Sequence, residues 1–118
     1  MKKHKICIIG DGLSGLITAQ ILGKLDVEID LISKKSEKKN IDNRVTAISP
    51  SNYKFISEFL PQKDLKFFFE CKKVNLYHEN ENNNYVNFMN FENSKKNIIL
   101  TVENKNLKKI LIKNIRKN

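Results

Sequence analysis

The sequence predicts an α/β chain that opens with a βαβ unit, runs on into antiparallel strands and closes with a helix. Three observations carry that reading. Three of the four glycines of this 118-residue chain fall in Gly10-Asp11-Gly12-Leu13-Ser14-Gly15, directly behind the apolar run Ile6-Cys7-Ile8-Ile9. Leu13, Leu16, Ile17, Ile21 and Leu25 then recur at three- and four-residue steps, with Ala19 and Leu22 alongside, as on an apolar helical face. Farther on the period drops to two, in Val74-Asn75-Leu76-Tyr77-His78 and Tyr85-Val86-Asn87-Phe88-Met89.

Ile6 to Ile9 is the short β-branched run of a strand buried on both faces. Val27 to Ser33 reads as a second strand and completes a unit of the ~30 residues that a βαβ crossover takes. Glycines at G-x-G-x-x-G spacing between strand and helix point to a dinucleotide. Gly10 permits the tight turn, Gly12 lets the backbone approach a pyrophosphate, and Gly15 lets the helix pack closely on the strand. Leu13 and Ser14 open the helix, whose free N–H groups and positive dipole end favour phosphate oxygens. Two positions depart from the pattern. Asp11 places a carboxylate between the first two glycines, where it must turn away from phosphate charge. Ser33, followed by Lys34, stands where an Asp or Glu usually holds the adenosine ribose. Asp30 and Glu28 lie earlier in the strand and are less well placed.

Residues 34–41 form a polar, charged loop. Ser49 is an N-cap with Pro50 at the first helical position, and Tyr53, Ile56, Phe59 and Leu60 give that helix an inward face before Pro61 ends it. Phe67-Phe68-Phe69 reads as core or domain-interface packing. The two alternating segments make a hairpin around the asparagine-rich turn 79–84. Ile98 to Val102 is a further strand, and Asn104 caps a last helix with Leu107, Ile110, Leu111 and Ile115 on one side. Neither a repeat nor a linker interrupts the chain.

Formal net charge is +9, from 22 Lys+Arg against 13 Asp+Glu. The lysines are scattered in pairs rather than gathered into a stripe with interleaved aromatics, which argues against a nucleic-acid partner. Attraction to an anionic membrane surface fits the same charge. Cys7 and Cys71 have neither C-x-x-C nor metal-ligand spacing and read as buried, reduced thiols of a cytoplasmic protein. The basic start imitates a signal peptide, but Asp11 and the glycines cut its apolar stretch short. His4 and His78 read as surface or strand-edge residues. No metal site, nucleophile or general acid–base set is visible, so no catalytic residue is assigned.

The segment Asp42-Asn43-Arg44-Val45-Thr46-Ala47-Ile48-Ser49 resembles the D-x-R-x-x-A-[IL]-S signature of the ubiquinone-biosynthesis hydroxylases, flavin monooxygenases related to para-hydroxybenzoate hydroxylase. Thr101-Val102-Glu103-Asn104 with Leu107 and Leu111 is similar to that family's later V-E-N-x-x-L-x-x-x-L stretch. The resemblance implies the N-terminal portion of a Rossmann-like FAD-binding domain, carrying the first antiparallel strands of a substrate-domain sheet. Residues 1–70 would belong to the FAD-binding domain, 71–103 to the sheet that covers the substrate, and 104–118 to a helix returning to the FAD domain. It further implies FAD as cofactor, NAD(P)H as reductant, and hydroxylation of a polyprenylated phenol or quinone precursor. The location would be cytoplasmic, or peripheral at the inner membrane face in a biosynthetic complex.

In that scheme Gly10, Gly12, Leu13, Ser14 and Gly15 serve the pyrophosphate, Ser33 and Lys34 stand at the ribose, and Arg44 contacts FAD. Arg44 is one of only two arginines, with Arg116, in a chain that otherwise uses lysine. A retained guanidinium suits a phosphate or flavin edge, and equally an ion pair with Asp42 or a loop carboxylate. The end at Asn118, just past the last helix, predicts an incomplete domain in which the Ile6–Ile9 strand, the Phe67–Phe69 cluster and the Leu107–Ile115 face are partly uncovered. Two alternatives stay open: an NAD(P)-dependent oxidoreductase, disfavoured by Ser33 and by the antiparallel strands, and a truncated, non-catalytic dinucleotide-binding fragment.

Overall fold

The computed structural model describes residues 4–34 and 42–116. All but the first residue of the charged loop 34–41 lies outside the described residues. Strand β1 (His4–Ile9) leads through the glycine turn into helix α1 (Leu13–Leu22), and β2 (Val27–Ile32) returns beside β1. The two strands are parallel, in register from His4 opposite Val27 to Ile9 opposite Ile32. This is the βαβ unit that the sequence predicts. The helix stops earlier than its apolar spacing suggests, because the chain turns at Gly23, and Leu25 is left exposed.

β1 is not buried on both faces. Ile6 and Ile8 are half-buried, while Lys5, Cys7 and Ile9 are exposed. Among the described residues this sheet has two strands, and α1 packs on one face of it. On the other face Lys5 pairs with Glu28 at 3.1 Å across the strands. Cys7 is accordingly an exposed free thiol and Cys71 a half-buried one, rather than the buried thiols expected.

The second half of the fold is built on β7 (Ile99–Glu103). It lies between β3 (Val45–Ile48) and β4 (Phe69–Cys71), antiparallel to both. Helix α2 (Pro50–Ser57) follows β3 and starts as predicted: Pro50 is its first residue, and the Ser49 hydroxyl accepts from the Asn52 N–H at 3.3 Å. A short 3₁₀ helix (Gln62–Phe67) then delivers Phe68 to the core, where its ring meets Tyr53 at 5.1 Å between centroids. Phe69 points to solvent, so the Phe67-Phe68-Phe69 cluster is not packed as one.

The strands between 71 and 103 divide between two sheets. Among the described residues β5 (Lys73–Glu79) and β6 (Tyr85–Glu92) pair only with each other, as an antiparallel hairpin with Asn83 at φ 58° in its turn. Most of its apolar side chains, Leu76, Val86, Phe88, Met89 and Phe91 among them, are exposed, and Val74 is half-buried. β7 instead enters the core and carries fully buried Val102.

Helix α3 (Asn104–Ile115) leaves β7 directly. Glu103, not Asn104, is the residue before the first turn, and no side chain caps it. Asn104 is buried within the helix and bonds laterally instead. Leu107 and Leu111 are 1% exposed and pack in one cluster with Leu16, Ile48, Leu60, Leu100 and Val102. The apolar face of α3 is therefore covered, because α1 supplies Leu16 opposite it. Gln20 of α1 also donates from Nε2 to the Phe59 carbonyl at 3.0 Å, tying α1 to the chain after α2.

Unfolding by urea will separate these two regions. Leu107→Ala leaves a cavity in the only large cluster of buried side chains among the described residues and is expected to cost about 2–5 kcal/mol. Phe88→Ser, on the exposed hairpin, is expected to change stability by about 0.5 kcal/mol or less.

Candidate functional site

The glycine turn places each of its residues for a distinct reason. Gly10 has φ +111°, a left-handed conformation that side chains disfavour. Its N–H donates to the Ile32 carbonyl at 2.8 Å, so the turn is pinned to the end of β2. A Cβ at Gly15 would collide with the Gly10 carbonyl oxygen and stand 3.6 Å from Ile8 Cγ2. Helix α1 can sit on the turn only without that atom. Gly12 differs: φ is an ordinary −68°, and a Cβ there would meet nothing within 4 Å. It faces open space.

The first helical hydrogen bond of α1 runs from the Leu16 N–H to the Gly12 carbonyl at 3.0 Å. The N–H groups of Leu13, Ser14 and Gly15 precede it, and no side chain caps this end. Unpaired N–H groups and the positive end of the helix dipole thus meet the open side of Gly12, an arrangement suited to an anion. Asp11 does not oppose it. Its carboxylate accepts from Lys108 Nζ of α3 at 3.0 Å. The unusual acid between the glycines is thereby neutralised by a residue 97 positions away. Asp11 signals in the sequence that a cation is needed, but nothing there marks Lys108 among the many lysines.

Ser33 and Lys34 follow β2 at the same end as the turn, and both are exposed. Ser33 shares a cleft of about 270 Å³ with Asp11 and Arg116. Leu13 and Ser14 line a second cleft of about 370 Å³, with Thr46 and Ala47 of β3 and Phe55 of α2 on its other wall. The structure therefore brings Gly10, Gly12, Leu13, Ser14, Gly15 and Ser33 to one end of the βαβ unit.

Arg44 is bonded to Asp42. Its Nε and Nη2 each donate to an Asp42 carboxylate oxygen at 2.9 Å, and its backbone N–H donates to Asp42 Oδ1 at 3.1 Å. Of the contacts that the sequence leaves open for Arg44, the ion pair with Asp42 is present. Asp42 also accepts from Asn104 Nδ2 at 3.2 Å, while Thr46 donates its hydroxyl to Asn104 Oδ1. The Asn104 N–H in turn donates to the Arg44 carbonyl at 3.0 Å. Hydrogen bonds from the Arg44 side chain, then from its backbone N–H and from Asn104, hold the Asp42 carboxyl well below the usual aspartate range. The guanidinium itself is largely exposed, so one of its edges stays open to solvent. Sequence reasoning missed Asn104 and Thr46 as partners here.

Two outcomes follow from this geometry. Gly15→Ala is expected to lose about 1–3 kcal/mol in urea unfolding, whereas Gly12→Val is expected to fold with near-unchanged stability. Because the carboxyl of Asp42 is more acidic when folded, what it contributes is present above the ordinary aspartate value and lost as pH falls below it. A ¹³C NMR titration is expected to place the Asp42 midpoint below that of free aspartate. Arg44→Gln should move it back up.

No protein-family model and no curated protein sequence matches the chain. Solved structures do. The chain superposes on 2-methyl-3-hydroxypyridine-5-carboxylic acid oxygenase with a TM-score of 0.71 and 14% identity, over 99% of this chain and 30% of that one. p-Nitrophenol 4-monooxygenase PnpA from Pseudomonas putida gives a TM-score of 0.69 and 19% identity, over 97% and 30%. HpxO of Klebsiella pneumoniae, solved with FAD and uric acid, gives 0.61 and 16%, over 93% and 28%. At such identities the likeness is one of fold. The chain spans less than a third of the length of these structures, and over that span it shares their fold.

Proposed function

We propose that the chain is the N-terminal, FAD-binding part of an FAD-dependent aromatic hydroxylase. One observation carries the reading: the open approach at Gly12, in front of the uncapped N-terminus of α1, within a fold shared with oxygenases. The residues present fit a dinucleotide pyrophosphate. Gly10 makes the turn, Gly15 seats the helix behind it, and Lys108 removes the one opposing charge. FAD held at this turn would supply the redox chemistry with O₂ for ring hydroxylation, with NAD(P)H as the reductant. This part of the protein binds and orients the cofactor. Arg44, with one edge fixed by Asp42, offers its other N–H groups to the cofactor.

The similarity of 42–49 to the ubiquinone-biosynthesis signature supports a polyprenylated phenol or quinone precursor as substrate. The net charge of +9 supports peripheral contact with an anionic membrane. No helix among the described residues is long and apolar enough to cross one.

The test is FAD binding followed by flavin fluorescence anisotropy. The unaltered chain is expected to raise the anisotropy, and Gly12→Val is expected to abolish that rise with an unchanged circular dichroism spectrum. FAD bound equally by Gly12→Val would remove the glycine turn as the site.

A further inference from the structure

The end of β2 is built unlike that of a site for an unphosphorylated adenosine. In dinucleotide folds a carboxylate at this place accepts the ribose hydroxyls and, being charged, excludes a 2′-phosphate; a neighbouring cation does the reverse. Here β2 ends at Ile32, and the next two residues are Ser33 and Lys34, a neutral hydroxyl and a cation, both exposed. Glu28 and Asp30 lie on the outward side of β2, opposite Lys5 and Cys7 of β1, and do not reach its end.

The cleft beside Ser33 has the matching charge. Arg116 and Asp11 line it with Ser33, over an apolar floor of Leu16, Leu31 and Ile112. The Arg116 guanidinium makes no hydrogen bond or ion pair with any described residue. Asp11, the one carboxylate in that wall, is already held by Lys108 at 3.0 Å. What remains in the cleft is a hydroxyl donor and a planar fork of N–H groups unpaired among the described residues, with Lys34 next to Ser33 in the chain, a set that suits a phosphate dianion better than a diol.

We propose that this cleft receives the 2′-phosphate of an NADP-type nucleotide, so that NADP(H) competes with FAD for the glycine turn. The proposal rests on the dinucleotide part of the preceding reading and adds the chemistry of the adenosine end. FAD presents a neutral 2′-hydroxyl there, to which Arg116 makes only an ordinary hydrogen bond. A 2′-phosphorylated nucleotide gains a charge-assisted contact there while using the same pyrophosphate turn.

The experiment measures binding of adenosine 2′,5′-bisphosphate, adenosine 3′,5′-bisphosphate and 5′-ADP to the full chain by isothermal titration at fixed ionic strength. The 2′,5′-bisphosphate is expected to bind about tenfold tighter than 5′-ADP, and tighter than its 3′,5′ isomer of similar charge. Arg116→Gln should remove that advantage and leave 5′-ADP binding unchanged. Ser33→Glu should reverse the preference, and the circular dichroism of both variants reports their folding. Equal binding of the two bisphosphates would show general attraction to a basic protein and overturn the proposal, as would 5′-ADP binding as tightly as either. The glycine turn as a nucleotide site would survive both of those outcomes. No binding of any of the three would remove the turn and the proposal together.

Discussion

The contact between Gly15 and the Gly10 carbonyl holds the N-terminal half together. It lets α1 start directly against the turn, with Ile8 behind it. The same turn is bonded through the Gly10 N–H to the last residue of β2. Turn, helix and strand pair therefore form one unit, in which a change at the turn moves all three. With the helix seated there, Gly12 is left facing open space and Leu16 faces α3. The geometry that offers N–H groups to an anion and the geometry that builds the core share one close backbone approach.

Helix α3 relates the two candidate regions. Along its first turns, Asn104 bonds to Asp42 and Thr46, Leu107 fills the core, and Lys108 reaches Asp11. One stripe of one helix thus fixes the loop carrying Arg44 and the acid of the glycine turn. The Lys108–Asp11 pair is partly exposed on both sides, so its stabilising effect is about 1 kcal/mol or less. Its consequence is directional: it keeps a negative charge off the approach to Gly12. The Asp42–Arg44 pair acts in the same way, restricting where an exposed guanidinium can point.

The hairpin β5–β6 stands outside this arrangement. Lys73 and Glu92 come within 3.9 Å, and Asn87 and Asn90 bond to each other, while Val86, Phe88 and Met89 remain exposed. A two-stranded sheet alone is marginal in water, and this one adds no side chain to the buried cluster. The core forms without it.

Local pattern was enough for the βαβ unit, the Ser49 cap, the hairpin and α3, because glycine spacing, cap chemistry and side-chain period act over a few residues. The sequence also determined that Gly12 would be open and Gly15 closed, since only a strand–turn–helix junction needs glycine at both. It did not reveal β3 or β4, short segments whose strand character comes from pairing with β7. Nor could it pair Asp11 with Lys108, choose Asp42 for Arg44, or cover the apolar face of α3 with α1. Those contacts join residues far apart in the chain, some of them interchangeable in type with many others, and only the packing of α3 across α1 and β7 selects among them.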